Sequence, residues 1–247
     1  MKSTVVKVAV ETFFNASRLY DESMVAVERE GPLARIFLNR PEKANALNSP
    51  MLEELHEVFR NLNDLRVAVL AGKGKTFCGG ADTGELKKLT IETAGAFVEK
   101  IHNVCAAIRD LPVPVVARLH GAVIGAGLEI AAACDLRVAA DGTKFAMPEV
   151  RLGIPSVVEA ALLPRLMGSG RAAWLVLTGE AIDARRALEW GLIEEIGDGE
   201  VLVKQLLAAN QAALSTQKQL LQLWDEASLA TSVAASIERF AQVHSAR

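Results

Sequence analysis

Short apolar blocks alternate along most of the chain with blocks in which apolar residues recur at helical spacing. Residues 24–39, MVAVEREGPLARIFLN, predict two strands around a Glu-Gly turn. Residues 51–64 have the spacing of an amphipathic helix, with Ser49 as the expected cap and Pro50 at the first position. The continuous apolar run at 66–72 is typical of a buried strand. Alternating strands and helices predict an α/β fold.

The second half of the pattern is organised around glycines. A Gly-rich loop at 72–86 precedes a helical region at about 90–109 and a further strand at 112–120. The next stretch, GAVIGAGLEIAAACD, predicts a glycine turn followed by a short buried helix that begins near Ala126. Beyond Glu149 the chain is mostly of helical character.

The pattern divides the chain into three parts. Residues 1–23 form an N-terminal extension without a chemical motif, residues 24–185 form the core, and residues 186–247 form a C-terminal helical region. The tail is so apolar that we expect it to need a partner surface and the protein to be oligomeric. The leucines concerned are Leu206, Leu207, Leu214, Leu220, Leu221 and Leu223.

Composition narrows the classes of function. Of 247 residues about half are apolar, and a net charge of −3 provides no basic field for nucleic acid. We expect no membrane partner, because no apolar run reaches the ~20 residues of a membrane span. The N-terminus does not have the pattern of a signal peptide. Three widely spaced cysteines, Cys78, Cys105 and Cys134, predict free buried thiols in a cytoplasmic protein.

Two glutamates stand out as candidate acid/base groups. Between Leu119 and Cys134 the only ionisable side chains besides the terminal cysteine are His120 and Glu129. A carboxyl group in such apolar surroundings is expected to have a raised pKa, as acid/base catalysts often do. Glu149 follows twenty residues later and would join Glu129 if the helix packs against the following strand.

The two glycine loops provide candidate oxyanion donors. Glu129 would lie in the first helical turn, where the backbone N–H groups have no intrahelical acceptor and the helix dipole is positive. The N–H of Ala126 is therefore a candidate donor to a developing oxyanion. In the loop FCGGAD the two consecutive glycines would expose a second donor, the N–H of Ala81.

Three other kinds of site are not supported. The Gly74-Lys75-Thr76 segment lacks the preceding glycine of a phosphate-binding P-loop, since Val69 occupies that position. The third glycine of a dinucleotide fingerprint is replaced by Ile130. The histidines are scattered without metal-ligand spacing, and we expect His120 to be a hydrogen-bonded core or turn residue.

Several motifs in order resemble the enoyl-CoA hydratase/isomerase, or crotonase, superfamily. They are LNRPEKANALN, FCGGAD, HGAVIGAGLEIAAACD, MPEVRLGIP, LPRLMG and TGEAIDARRALEWGL. The resemblance implies a spiral of repeated ββα units over the core and a helical C-terminal region that forms trimers, commonly paired as a dimer of trimers. It implies no metal or redox cofactor, since CoA is part of the substrate.

The resemblance also assigns roles by position. Glu129 and Glu149 match the two catalytic glutamates, and Ala81 and Ala126 match the two oxyanion-hole amides. The loop that contains Lys43, Ala44 and Ala46 matches the segment that wraps the CoA adenine and pantetheine. The remaining positions that we expect to bind substrate are Gly79, Asp82, Thr83 and Gly125.

The implied reaction is reversible addition of water to a 2-enoyl-CoA, giving a 3-hydroxyacyl-CoA. The two amides would stabilise the enolate oxygen while Glu129 and Glu149 hold and deprotonate the water, with proton delivery to C2 given to Glu149. An isomerase that moves the double bond of a 3-enoyl-CoA needs only one glutamate, and an acyl-CoA-binding subunit needs neither. The presence of both glutamates favours the hydratase.

The chain departs from the family pattern after Glu149. Many hydratases have Pro-Gly-Ala-Gly-Gly where this chain has Pro-Ser-Val-Val-Glu at 155–159. Glu159 would be a third carboxylate if it entered the site, but we expect it to be a solvated first-turn residue of the next helix. The two glutamates also have alternative, non-catalytic roles. Glu129 would stabilise the helix dipole from the first turn, and Glu149 would form an ion pair with Arg151.

Overall fold

The structure, a computed structural model, describes residues 23–245, without the side chains of residues 244 and 245. The predicted extension at 1–23 lies outside the described residues except for Ser23. The described strands are β1 (Val25–Glu30), β2 (Leu33–Leu38), β3 (Val67–Gly72), β4 (Val115–Leu119), β5 (Ala122–Ile124), β6 (Leu136–Ala139), β7 (Lys144–Ala146), β8 (Ile182–Asp183) and β9 (Glu195–Ile196).

Helices follow most of the strands. They are α1 (Ser49–Asn61), α2 (Thr83–Leu86), α3 (Ala94–Asp110), α4 (Ala126–Ala133), α5 (Leu163–Met167), α6 (Ser169–Thr178), α7 (Ala184–Trp190), α8 (Glu200–Ala208), α9 (Gln211–Glu226) and α10 (Leu229–Ser245). Three 3-10 turns complete the described elements, at Pro41–Lys43, Pro148–Leu152 and Val158–Leu162.

The large sheet has six strands in the order β1-β2-β3-β4-β6-β9. Only the β1–β2 pair is antiparallel, and the other neighbours are parallel. Strand β9 lies beyond residue 185, so the large sheet takes its last strand from the C-terminal part of the chain. The division of the chain at residue 185 remains a proposal.

A second, inner layer of strands makes the repeat visible. After its strand in the large sheet, each unit crosses to this layer before a helix begins. The inner layer contains the parallel bridge Leu47–Ala81, the parallel bridge Cys78–Val123, and the sheet β5-β7-β8, in which β5 and β7 are parallel. This succession of outer strand, inner strand and helix confirms the predicted spiral of ββα units.

Apolar side chains cover both faces of the large sheet, as parallel strands require. Alternate residues such as Ile36, Leu70 and Ala117 join the main core. The residues between them, such as Val69 and Val116, pack under α8. The continuous apolar run of β3 arises because the strand is buried on both faces.

Two local predictions were wrong. Helix α1 is capped by Asn48, whose side chain accepts a hydrogen bond from the N–H of Met51 at 3.1 Å. Ser49 lies inside the helix and bonds to Glu85 instead. Leu206 and Leu207 do not need another chain, because they pack against the outer face of the large sheet.

Helix α9 is fastened to the core by one buried lysine. Lys218 is 5% exposed, and its Nζ lies 2.8 Å from Asp135 Oδ2, 3.0 Å from the Ile108 carbonyl and 3.1 Å from that of Val113. These contacts compensate the charge that is removed from water. Within the described part of the chain, no helix combines the length and the hydrophobicity needed to cross a bilayer.

Candidate active site

The predicted site residues gather where the inner strands end. Ala81 follows the bridge at Cys78, Ala126 follows β5, and Glu149 follows β7. Because these segments are parallel neighbours, their carboxyl ends meet at one edge of the inner layer. Residues up to 68 positions apart in sequence are thereby brought to the same edge.

Glycines allow the two loops that carry the predicted oxyanion donors to approach each other closely. A Cβ atom on Gly127 would lie 2.6 Å from Cys78 Cβ, so the start of α4 rests directly on the 78–81 loop. Gly80 has φ +96°, and a Cβ there would lie 3.0 Å from the Ile124 carbonyl. Among the described residues neither the Ala81 nor the Ala126 N–H has a hydrogen-bond acceptor, so both are available to a ligand.

Glu129 lies in the first turn of α4, as predicted, and is only 4% exposed. Burial raises its pKa from 4.5 to about 8, with further contributions from the negative charges of Glu149 and Glu159. The backbone N–H groups of Ala160 and Val157 bond to it and oppose this rise only in part. A carboxyl group whose pKa is raised in this way suits acid/base chemistry near neutral pH.

Glu149 lies on the 3-10 turn Pro148–Leu152, three residues after the end of β7 and not on the strand itself. Its Oε2 accepts a hydrogen bond of 2.9 Å from Ser156 Oγ. Its Oε1 lies against Gly125, where a Cβ would come within 2.2 Å of it. The alternative pairing with Arg151 is excluded, because that guanidinium bonds to Glu180 and the Thr178 carbonyl.

The expectation that Glu159 is solvated was wrong. It lies on the 3-10 turn Val158–Leu162 and is 7% exposed, because this turn packs between α3 and α4. Its Oε1 lies 2.8 Å from His102 Nδ1. The sequence indicated the carboxylate but not its burial, which depends on helices more than 25 residues away.

The loop predicted to wrap CoA has an unusual backbone conformation. Ala44 and Asn45 have φ of 52° and 54°, and the buried Asn45 side chain bonds to the carbonyls of three later residues, at 73, 76 and 77. The carbonyl of Ala44 accepts a hydrogen bond of 2.8 Å from the Gly79 N–H. The loop is thereby tied to the oxyanion loop, while Lys43 is exposed and Ala46 partly exposed.

Asp82 and Thr83 begin α2 at the end of the first oxyanion loop. Asp82 caps the helix by accepting bonds from the N–H groups of Gly84 and Glu85, and it pairs with Arg40 at 3.2 Å. Burial opposes its ionisation, but these bonds outweigh that effect and lower its pKa. The side chain therefore fixes the loop, and Thr83 is exposed beside it.

The remaining polar side chains bear on the predicted role of His120, on metal binding and on contacts that the sequence did not indicate. His120 bonds through Nε2 to the Gly74 carbonyl at 3.1 Å, as expected of a turn residue. Within residues 23–245 no three His, Cys, Asp or Glu side chains are grouped so that they could hold a metal ion. The sequence did not indicate roles for Ser156 and His102. Only the fold places Ser156 beside Glu149 and His102 beside Glu159.

Comparisons with known proteins point to one family. The family model described as Enoyl-CoA hydratase/isomerase matches residues 28–244. A putative enoyl-CoA hydratase/isomerase of Bacillus subtilis is 37% identical over 180 residues, 71% of this chain and 69% of that protein. A short-chain-enoyl-CoA hydratase of Clostridium acetobutylicum is 32% identical over 233 residues, 90% of this chain and 89% of that protein.

A solved structure extends the likeness to the whole fold. The crystal structure of an enoyl-CoA hydratase from Thermoplasma volcanium matches with a TM-score of 0.88 and 31% identity, covering 92% of this chain and 95% of that one. The spiral, the ordered motifs and these matches lead to one assignment: the chain belongs to the enoyl-CoA hydratase/isomerase family.

Proposed function

We propose that the protein is an enoyl-CoA hydratase that adds water reversibly to a 2-enoyl-CoA, giving a 3-hydroxyacyl-CoA. One observation carries the proposal: Glu149 Oε1 lies against Gly125. Gly125 directly precedes Ala126, whose N–H is free, and lies about one helical turn before Glu129. Two carboxyl groups and an oxyanion donor thus converge on a single turn.

The amides act on the thioester carbonyl. When the Ala81 and Ala126 N–H groups bond to its oxygen, negative charge that develops there as an enolate is stabilised. One such donor is worth about 3 kcal/mol of transition-state stabilisation. Because both donors belong to the backbone, they are fixed before substrate binds and need no reorganisation.

The carboxyl pair manages the water and its proton. The oxygen of water bonds to C3, one proton of the water passes to the pair, and C2 takes one proton from the pair. The proton count of the pair is therefore the same before and after turnover. Glu149, which is open to Gly125, remains our choice for proton delivery to C2, while Glu129 helps to hold the water.

The substrate would lie along the two joined loops. We propose that Lys43, Ala44 and Ala46 contact the CoA moiety and that the oxyanion loops add contacts from Gly79, Asp82, Thr83 and Gly125. The hydrogen bond between Ala44 and Gly79 supports this arrangement, because it couples the CoA loop to an oxyanion donor. The acid/base chemistry requires no cofactor, since CoA is part of the substrate.

An assay with two substrates tests the function. A hydratase will convert crotonyl-CoA to 3-hydroxybutyryl-CoA, whereas an isomerase will instead convert a 3-enoyl-CoA to its 2-enoyl isomer. Binding of both thioesters without turnover would favour a non-catalytic acyl-CoA-binding subunit. Short-chain substrate is the first choice because one close relative is named a short-chain-enoyl-CoA hydratase.

We also propose that the protein works as a homotrimer or a dimer of trimers in the cytoplasm. Helix α10 supports the assembly, because Leu229, Val233 and Ile237 share one helix face and are 81%, 49% and 67% exposed. All three cysteines are buried and unpaired, which suits a reducing compartment. A monomer in light scattering at micromolar concentration would contradict the assembly.

A further inference from the structure

Asn45 is a fully buried polar residue in the loop of residues 40–47, the segment proposed to contact CoA. Its Oδ1 accepts a hydrogen bond of 2.9 Å from the Arg40 N–H. Its Nδ2 shares two hydrogens among three carbonyls at 2.7 to 3.1 Å, those of Lys73, Thr76 and Phe77. A buried amide that is satisfied on both sides fixes one arrangement of the segments it joins. Asn45 therefore ties the 40–47 loop to the segment that leads into the first oxyanion loop.

The segment at 73–77 folds closely around this amide. A Cβ atom on Gly72 would lie 2.6 Å from the carbonyl oxygens of both Thr76 and Phe77, and 2.8 Å from Asn45 Nδ2. Backbone atoms thus surround the Asn45 side chain at distances that a single added carbon would violate. The contact is specific to an amide, because three carbonyl oxygens face it and need a donor.

Leu47, at the end of the same loop, holds the peptide that carries the Ala81 N–H. The Leu47 N–H donates to the Gly80 carbonyl at 2.8 Å, and the Leu47 carbonyl accepts from the Asp82 N–H at 2.8 Å. The Gly80 carbonyl and the Ala81 N–H belong to one planar trans peptide, in which they point in opposite directions. The bond from Leu47 therefore sets the direction of the Ala81 N–H.

The Cys78 thiol makes a third connection between the two loops. Its Sγ lies 3.2 Å from the Asn45 carbonyl and accepts a hydrogen bond of 3.4 Å from the Gly80 N–H. Burial raises the pKa of this thiol to about 12, so it keeps its hydrogen and acts as the donor to Asn45. The backbone of Asn45 is thus bonded to the residue whose side chain holds Gly80.

The second oxyanion donor is held in a different way. The Gly125 carbonyl, which shares a peptide with the Ala126 N–H, accepts hydrogen bonds from Leu128 and Glu129 at 2.7 and 3.0 Å. Helix α4 thus orients the Ala126 donor through its own first turn. The Ala81 donor, in contrast, depends on a separate segment more than thirty residues earlier in the chain.

We propose that Asn45 is the positioning residue of the first oxyanion donor. It anchors the 40–47 loop, and the loop in turn orients the Ala81 N–H through Leu47 and Cys78. Asn45 touches neither the thioester nor the water, and acts through the 78–81 loop. The inference rests on the proposed hydratase function, because it takes the Ala81 N–H to be an oxyanion donor.

Asn45→Gly removes the amide without straining the backbone. Asn45 has φ 54°, which glycine adopts freely. We expect kcat for crotonyl-CoA hydration to fall by about 10- to 100-fold, because a misplaced donor stabilises the enolate poorly. Asp64→Gly is the matched control, since Asp64 is exposed and has nearly the same φ, 53°. It should leave kcat unchanged.

Infrared spectroscopy of a bound thioester separates positioning from a general loss of structure. Butyryl-CoA, labelled with carbon-13 at its thioester carbonyl, has no double bond to hydrate, and hydrogen bonds to that oxygen lower its stretching frequency. The band should lie below its position in water when the ligand is bound to the wild type. It should return part of the way in Asn45→Gly and stay lowered in Asp64→Gly.

Hydrogen exchange tests the same loop without any ligand. The Gly79 N–H bonds to the Ala44 carbonyl at 2.8 Å, and the Gly80 N–H bonds to Cys78. Both amides should exchange roughly tenfold faster in Asn45→Gly, because the loop that supports them is released. Mass spectrometry of a peptide that covers residues 77–82 measures the change, and Asp64→Gly should match the wild type.

Variants of Cys78 decide the question if Asn45→Gly does not fold. Cys78→Ala should lower kcat about fivefold and raise the carbonyl band, since it deletes one hydrogen-bonded connection. Cys78→Ser keeps a donor and an acceptor and should stay within about twofold of the wild type. Cys134→Ala, which deletes a buried thiol bonded to the Ile130 carbonyl, is the control. Equal impairment in Cys78→Ala and Cys78→Ser would overturn the proposed connection.

Failure of the inference can be told from failure of the proposed function. If the wild type hydrates nothing, but exchange at 77–82 and the carbonyl band both respond to Asn45→Gly, the function is lost and the inference holds. If the wild type hydrates crotonyl-CoA, and a folded Asn45→Gly shows unchanged exchange and an unchanged band, the function holds and the inference is overturned.

Discussion

The proposed active site has two halves that are built differently. One half consists of two backbone N–H groups, those of Ala81 and Ala126, which strand register and glycine contacts hold in place. The other half consists of the carboxyl groups of Glu129 and Glu149, and the pKa of Glu129 depends on helices and turns from distant parts of the chain. The positions in the first half are therefore fixed by strand pairing and close glycine contacts, whereas the pKa of Glu129 in the second half is raised by burial among packed helices and turns.

The carboxyl half should give the largest loss of rate. Glu129→Gln and Glu149→Gln each keep the shape of the side chain and remove its acid/base function. We expect each to lower kcat for crotonyl-CoA hydration by at least ~10²-fold. The double variant should lose much less than the product of the two, because both groups act on one water.

This prediction has one control and two outcomes that would change the roles assigned to Glu129 and Glu149. Glu57→Gln, an exposed change in α1, is the control and should be neutral. Full hydration by Glu129→Gln would remove that residue from the mechanism. If Glu149→Gln also abolished 3-enoyl-CoA isomerisation, the isomerase alternative would replace the hydratase.

The backbone half is tested by deleting an N–H. Ala126 is the first residue of α4, where proline is tolerated, so Ala126→Pro should fold and lose only the donor. We expect a loss of about 10²- to 10³-fold in kcat. Ala126→Gly keeps the N–H and should stay within a few-fold of wild type, with circular dichroism as the check on folding. A folded, fully active proline variant would contradict the oxyanion assignment.

The carboxyl half should also cost stability at alkaline pH. The pKa of Glu129 is raised in the folded protein, so its contribution to stability is present below pH 4.5 and is lost as pH rises towards 8. The side chain in Glu129→Gln stays neutral at all these pH values. The free energy of unfolding of this variant, relative to that of the wild type, should therefore rise by a few kcal/mol between pH 5 and pH 9. Urea unfolding at both pH values measures the difference, and a constant difference would show that Glu129 ionises freely.

The two halves meet at Gly125, where a methyl group should disturb both. Gly125 has φ 50°, and an added Cβ would overlap Glu149 Oε1. Gly125→Ala should lower kcat about tenfold or more, since strain of this kind costs roughly 1–3 kcal/mol. Gly170→Ala, in open space on α6, is the control. Equal activities would show that Glu149 does not work from this position.

The smallest effect is expected from the Ser156 hydroxyl. Ser156→Ala leaves Glu149 without its 2.9 Å hydrogen bond. One such bond contributes about 1 kcal/mol, so a loss of roughly fivefold in kcat is expected. Ser169→Ala at the exposed start of α6 is the control, and equal rates would mean that water replaces the hydroxyl.

The same contrast explains what could be predicted from the sequence. The helix start at Ala126 and the strands could be predicted, because glycines, apolar runs and helix-terminal amides act over a few residues. The family was also identifiable, because its motifs are contiguous. The helix cap was misplaced by one residue, since Asn48 and Ser49 are both good capping residues and only packing at Glu85 decides between them.

The remaining features could not be predicted, because they depend on packing between distant parts of the chain. The burial of Glu159 depends on how its turn packs between α3 and α4, and no local pattern contains that information. His102 gave no signal, because its partner lies 57 residues away. Leu206 and Leu207 resemble residues at an interface between subunits until α8 is placed on the outer face of the large sheet.

The central claim is that the two halves together add water to an enoyl thioester. The most direct test incubates crotonyl-CoA with the wild type in water enriched in oxygen-18 and follows the products by mass spectrometry. We expect 3-hydroxybutyryl-CoA that carries one heavy oxygen on C3, formed by the wild type and at least ~10²-fold more slowly by Glu149→Gln. Crotonyl-CoA left unchanged by a folded, oligomeric wild type, or an equal rate in the variant, would contradict it.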